Sequence, residues 1–184
     1  MSRSLTVITV ILFTLLMLAL LSGLIWANTR YAQSHPGEKD FLVPWLAART
    51  FLQYGNNPYN DPATQRAQIV YYGRLAIDGE DPLRLNVPFP LELFYFPLAL
   101  ITDYALARGL WMALLEVALI ALGFLSLQLT GWKANRTLLP VVVIFSVLWV
   151  YGYLPLMACR AVIFVALSLT GFLLALRDQR DELA

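Results

Sequence analysis

The chain has 184 residues, of which 59% are apolar, 13% aromatic and 14% charged, and its mean hydropathy is +0.65. Soluble domains carry about 45–50% apolar and about 25% charged residues, so an ordinary cytosolic enzyme and a disordered chain are excluded. A net charge of +1 gives no field to draw in nucleic acid, and a single cysteine, Cys159, and a single histidine, His35, leave no disulfide framework or metal cage.

What remains is an all-α integral membrane protein, one membrane domain over residues 1–184. Residues 5–27 form an uncharged run, long enough at about 1.5 Å per residue to span the roughly 30 Å hydrocarbon core. It is too long for a signal-peptide core and reads as an uncleaved anchor. Residues 28–85 form one long hydrophilic loop. Residues 86–101 are apolar but carry Pro88, Pro90, Glu92 and Pro97, so they form a half-inserted piece or a short crossing. Further crossings are expected over residues 105–130, 138–158 and 161–176. About four crossings put Arg3, Lys133, Arg136, Arg177 and Arg180 together in the cytoplasm and the long loop outside.

Two interfacial amphipathic helices are predicted in that loop. In residues 40–54, Phe41, Trp45, Ala48 and Leu52 share one face, with Asp40 as N-cap and Gly55 as the stop. The second runs from Pro62 to about Leu75, capped by Asp61. Both should lie along the outer membrane surface.

Asp40, at a helix start just outside the membrane, is the sharpest chemical candidate. A carboxylate there can take a proton from a hydroxyl substrate, or can simply cap its helix. Glu116 interrupts an apolar run, so it is either functional or a buried tie between helices, with Arg160 the one basic partner outside the loops. Glu92 either lines a cavity or reaches water. Arg49, Arg66, Arg74 and Arg84 could hold a phosphate, or form a solvated surface. His35 and Cys159 are expected to be inert.

The run Asp40-Phe41-Leu42-Val43-Pro44-Trp45-Leu46-Ala47-Ala48-Arg49, then Gly55 and Asn57-Pro58-Tyr59-Asn60, resembles the first outer loop of GT-C membrane glycosyltransferases. The branch it is most similar to is the bacterial polyprenyl-phosphate-mannose-dependent mannosyltransferase type. Val87-Pro88-Phe89-Pro90, Phe96-Pro97-Leu98-Ala99-Leu100 and Leu110-Trp111 look like that branch's following segments. Pro44 stands at an aromatic position of the pattern, and Arg160 follows Cys159 where the branch tends to have Gly-Gln.

The resemblance implies an inverting enzyme of the bacterial plasma membrane. It would move a sugar from a polyprenyl-phosphate donor to a lipid or glycan hydroxyl on the outer face. Asp40 would be the base, and Arg49, Tyr59, Arg66 and Glu92 are candidates for the substrate and its phosphate. No cofactor is implied, and a divalent metal is left open. The resemblance covers the first half of such an enzyme, its last part being residues 176–184. The expected partners are therefore membrane lipids and another membrane chain or a further copy. The alternative is a non-catalytic accessory subunit of a larger membrane complex, such as a bioenergetic one; a small transporter is disfavoured because no inverted repeat is visible.

Overall fold

The computed structural model describes residues 3–132, 135 and 137–177, with side chains from residue 7 onward. Lys133, Arg136 and residues 178–184, which carry much of the positive-inside argument and the C-terminal likeness, lie outside the described residues, as does the Arg3 side chain. Of the described residues 77% are helical, and no strand occurs among them.

Nine α-helices run in chain order among those residues: α1 (Arg3–Ser34), α2 (Lys39–Tyr54), α3 (Asp61–Tyr72), α4 (Phe89–Glu92), α5 (Phe96–Ala99), α6 (Tyr104–Thr130), α7 (Leu138–Leu148), α8 (Val150–Met157) and α9 (Val162–Arg177), with a 3₁₀ turn at Leu93–Tyr95. Two are long and apolar enough to cross a membrane, α1 over Val7–Ser34 and α6. The pair α7 and α8 is a third candidate if counted as one span. The expected straight crossing over 138–158 is bent by 50°. Trp149, at the break, has an extended backbone (φ −63°, ψ 144°). Gly152 makes the bend possible, since a Cβ there would stand 2.4 Å from the Ser146 carbonyl oxygen. Helix α9 has 16 residues, about 24 Å of rise, which is less than the hydrocarbon thickness.

Helix α1 ends at Ser34 rather than at residue 27. Residues 7–21 stand clear of the rest of the chain, as expected of a surface made for lipid. The last turns instead pack on α6. There Gly109 lets the two backbones meet: a Cβ on it would lie 2.8 Å from the Thr29 nitrogen and 2.4 Å from Thr29 Oγ1. Small residues at such crossings are how membrane helices approach closely. Gly109→Val should therefore push α1 off α6 and cost at least about 1–3 kcal/mol. Gly123→Ala, whose nearest new neighbour is 3.5 Å away, should be tolerated. Thermal unfolding in mild detergent separates the two.

The proline-rich segment is neither one helix nor a loop. Pro90 and Pro97 each sit in the first turn of a short helix, where the missing N–H has no intrahelical partner to lose. The carbonyls at the end of α5 find partners on α2. Trp45 Nε1 donates to the Leu98 oxygen at 3.0 Å, and Arg49 Nη1 to those of Ala99 and Ile101 at 2.8 and 3.0 Å.

Both loop helices form, with two corrections to their ends. Glu38, not Asp40, is the N-cap residue of α2, so Asp40 lies inside the first turn with its side chain free for other work. Asn60, not Asp61, caps α3, its Oδ1 accepting from the Ala63 N–H at 3.1 Å, and α3 stops at Gly73. Gly55 ends α2 in the left-handed region as expected. Nor is α2 laid open on a surface. Residues 41–48 are all buried, because the Pro-rich segment and α6 cover the faces that α3 leaves. Leu52, expected in the apolar stripe, is 42% exposed.

The centre of the core is aromatic. Trp111 is 1% exposed, with Tyr95, Phe164 and Phe41 at ring-centroid distances of 4.5, 5.3 and 6.3 Å. This cluster joins α2, the Pro-rich segment, α6 and α9 under the site described next.

Candidate functional site

A cavity of about 480 Å³ opens beside the first turn of α2. Its walls come from four places: Lys39, Asp40 and Pro44 on α2; Asp81, Arg84 and Asn86 on the segment between α3 and α4; Leu91 and Tyr95 on the Pro-rich segment; and Arg160 and Val165 at and just before the start of α9. Gly37, at φ +93°, turns the chain from α1 into α2 and so brings Lys39 and Asp40 to the rim.

These neighbours reach in different directions. The Arg160 Nε donates to Asp40 Oδ2 at 2.7 Å, an ion pair that joins residues 120 positions apart. Asp40 Oδ1 has no hydrogen-bond partner among the described residues, and Asp40 lines the cavity. Lys39 pairs with Asp81, whose other oxygen accepts from the Leu83 N–H at 2.9 Å. This Lys39 contact holds the Asp81 carboxyl below the usual carboxylate range. Burial pushes the Glu38 carboxyl, just outside the helix start, above its ordinary value.

The segment bearing Asp81 and Arg84 is strapped down rather than loose. Gln68 Nε2 and Tyr72 OH donate to the carbonyls of Pro82 and Asp81 at 2.8 and 3.1 Å. Arg74 grips Glu80 through two bonds of 2.7 and 2.8 Å, which, with the Ile77 N–H, pulls the Glu80 carboxyl down to about 2.

The other sequence candidates lie elsewhere. Arg49 is occupied by the end of α5 and stacks on Trp45 at 4.9 Å, a packing role. Tyr59 OH donates to the Val87 carbonyl at 2.7 Å, tying the α2–α3 turn to the Pro-rich segment. Arg66 stacks on Tyr54 at 5.4 Å. None of the three lines the cavity. Of the arginine set, Arg84 does.

Glu92 neither lines the cavity nor reaches water. It is fully buried, and neither carboxyl oxygen has a hydrogen-bond partner. The Ala48 backbone N–H is close enough to influence the carboxyl without meeting hydrogen-bond geometry. Glu116 accepts from Asn28 Nδ2 at 3.0 Å, so its partner is α1, not Arg160, and it acts as a tie between α1 and α6.

Sequence reasoning missed Arg108. It lies in the first turn of the crossing expected over 105–130, where a charge reads as a flank, yet it is 2% exposed. Its Nη1 donates to the His35 carbonyl and its Nε to Cys159 Sγ at 3.4 Å, fastening the end of α1 to the α8–α9 link. Cys159 is held at φ +55°, and Trp111 Nε1 donates to its carbonyl at 2.9 Å. Burial raises the Cys159 thiol to about 11, which keeps it protonated and unreactive at neutral pH.

Among the described residues no group of three or more His, Cys, Asp or Glu is placed to hold a metal ion. Chemically, the cavity offers one carboxylate oxygen, a set of cations around it and an apolar wall. No family model matches this chain, and neither a curated protein nor a solved structure matches it.

Proposed function

We propose that this chain carries the acceptor side of a GT-C-like inverting glycosyltransferase, with Asp40 as the base. The observation that supports this reading best is the free Oδ1 of Asp40 beside a charged cavity of about 480 Å³. An acceptor hydroxyl oxygen would attack the anomeric carbon of a polyprenyl-phosphate sugar. The bond from that carbon to the phosphate oxygen breaks, and the polyprenyl phosphate leaves with the electron pair. The hydroxyl proton passes to Asp40 Oδ1. Arg160, on the other oxygen, would orient the carboxylate and offset the charge of the departing phosphate. Further crossings, on this or another chain, would close the donor side.

In the same proposal α1, α6, the bent pair α7–α8 and α9 are the four crossings of a bacterial plasma membrane. The N-terminus and the 131–137 turn are cytoplasmic, and the cavity is outside. Single cysteines at Gln33, Ala134 and Gln179, treated with an impermeant reagent in intact cells, should label only at Gln33. Labelling at Ala134 or Gln179 contradicts that arrangement.

One observation favours a second reading, a non-catalytic accessory subunit. The Asp40–Arg160 pair also works as a clamp between α2 and the α8–α9 link. Sugar transfer from a polyprenyl-phosphate donor, measured in membranes containing this chain and its native neighbours, separates the two. Transfer that depends on this chain supports the enzyme, and its absence supports the clamp.

A further inference from the structure

The charged cavity does not end at its apolar wall. Leu91 and Val165 also line a groove of about 680 Å³ whose other walls are Phe94, Phe164, Leu169 and Phe172. Cavity and groove thus share two wall residues and lie side by side, the first charged and the second apolar. From Phe164 to Phe172 the groove follows α9 for about 12 Å. Phe94 and Phe164 stack at 5.8 Å across its upper part, so its wall is preformed.

The charges at the wide end are unequal. Lys39, Arg84 and Arg160 face Asp40 and Asp81, and both carboxylates are already engaged by Lys39 and Arg160. Arg84 is exposed and has no partner among the described residues. The space therefore offers one unmatched guanidinium and no unmatched carboxylate.

We propose that this space seats one anionic phospholipid, with its phosphodiester against Arg84 and one acyl chain in the groove along α9. A guanidinium matches a phosphate in both charge and fork geometry. A zwitterionic lipid brings an ammonium as well, and both cavity carboxylates already have a cation partner. An uncharged head alcohol, as in phosphatidylglycerol, fits without that cost and would lie toward Asp40. This goes beyond the transferase reading, because the lipid binds whether or not the chain transfers sugar.

Native mass spectrometry of the purified protein in detergent, with equal amounts of phosphatidylglycerol and phosphatidylcholine added, tests it. Phosphatidylglycerol should be retained about tenfold or more over phosphatidylcholine. Arg84→Gln should remove that preference, and Val165→Trp, which fills the groove from an exposed helix face, should lower retention of both lipids. Arg66→Gln should change neither. Neither key substitution touches a buried side chain, so circular dichroism should be unaltered. Equal retention of the two lipids, or a preference that survives Arg84→Gln, overturns the proposal. Full retention in Val165→Trp overturns it too, as does complete displacement by millimolar inorganic phosphate, which would make the site one for free phosphate. A photocrosslink from residue 165 to another protein in place of lipid would mean that a partner helix fills the groove.

Discussion

Trp111→Ala should destabilise the folded chain by about 3–5 kcal/mol, the largest effect expected of any single core substitution here. Trp111 sits where α2, the Pro-rich segment, α6 and α9 meet, and it is almost wholly buried. Truncation leaves a hole that four different elements would have to close together. It also strands the Cys159 carbonyl, which Trp111 Nε1 satisfies. That carbonyl belongs to a residue held at φ +55°, so loss of the bond also loosens the link into α9. The same substitution at Trp132, half exposed after α6, should cost less than about 1 kcal/mol. Thermal or denaturant unfolding followed by Trp fluorescence in mild detergent measures both. Similar midpoints for the two variants would show that the aromatic cluster is not the centre of the core.

The sequence was most readable where local rules act alone. The helix stop at Gly55 needs a left-handed residue, and α6 agrees with its apolar run because Asp103 and Gly131 mark its ends, whereas the stop at Gly73 was passed over in favour of Leu75. The N-caps were misplaced by two residues at α2 and by one at α3. Nearby residues can each cap, and tertiary partners decide between them: Asp40 is taken by Arg160, which leaves Glu38 at the cap position. The short Pro-rich helices were legible as an interruption, but not the side chains of Trp45 and Arg49 that close their carbonyls. Those contacts span 50 positions or more and leave no periodic trace.

At the site, Asp40 was legible from its place before an apolar stripe. Arg160 was legible as an unusual charge, but was assigned to the wrong carboxylate. Intramembrane ties follow proximity, and α1 continues about two turns further than its uncharged run, which brings Asn28 to Glu116 first. Arg84 could be placed only within a set of four arginines, because nothing in the spacing says which of them folds over the cavity. Arg108 was hidden by its position at the edge of an apolar run, where a charge normally reaches water.

The second large effect concerns Asp40. A hydroxyl has a pKa far above neutrality, so its attack on an anomeric carbon needs proton removal as the new bond forms, and a positioned carboxylate contributes about 10²–10⁴-fold. The phosphate leaving group is already anionic and needs charge compensation rather than a proton. Asp40→Asn keeps the shape and can still accept from Arg160 Nε, but it cannot take a proton. Asp61→Asn is the control, because Asp61 lies on α3 away from the cavity. The measurement is initial-rate sugar transfer from a polyprenyl-phosphate donor in membranes that hold the assembled complex, with expression matched for wild type, Asp40→Asn and Asp61→Asn. The account predicts wild-type transfer, a loss of at least about 10²-fold in Asp40→Asn and near-wild-type rates in Asp61→Asn. Undiminished transfer by Asp40→Asn, or none by the wild type, would contradict it.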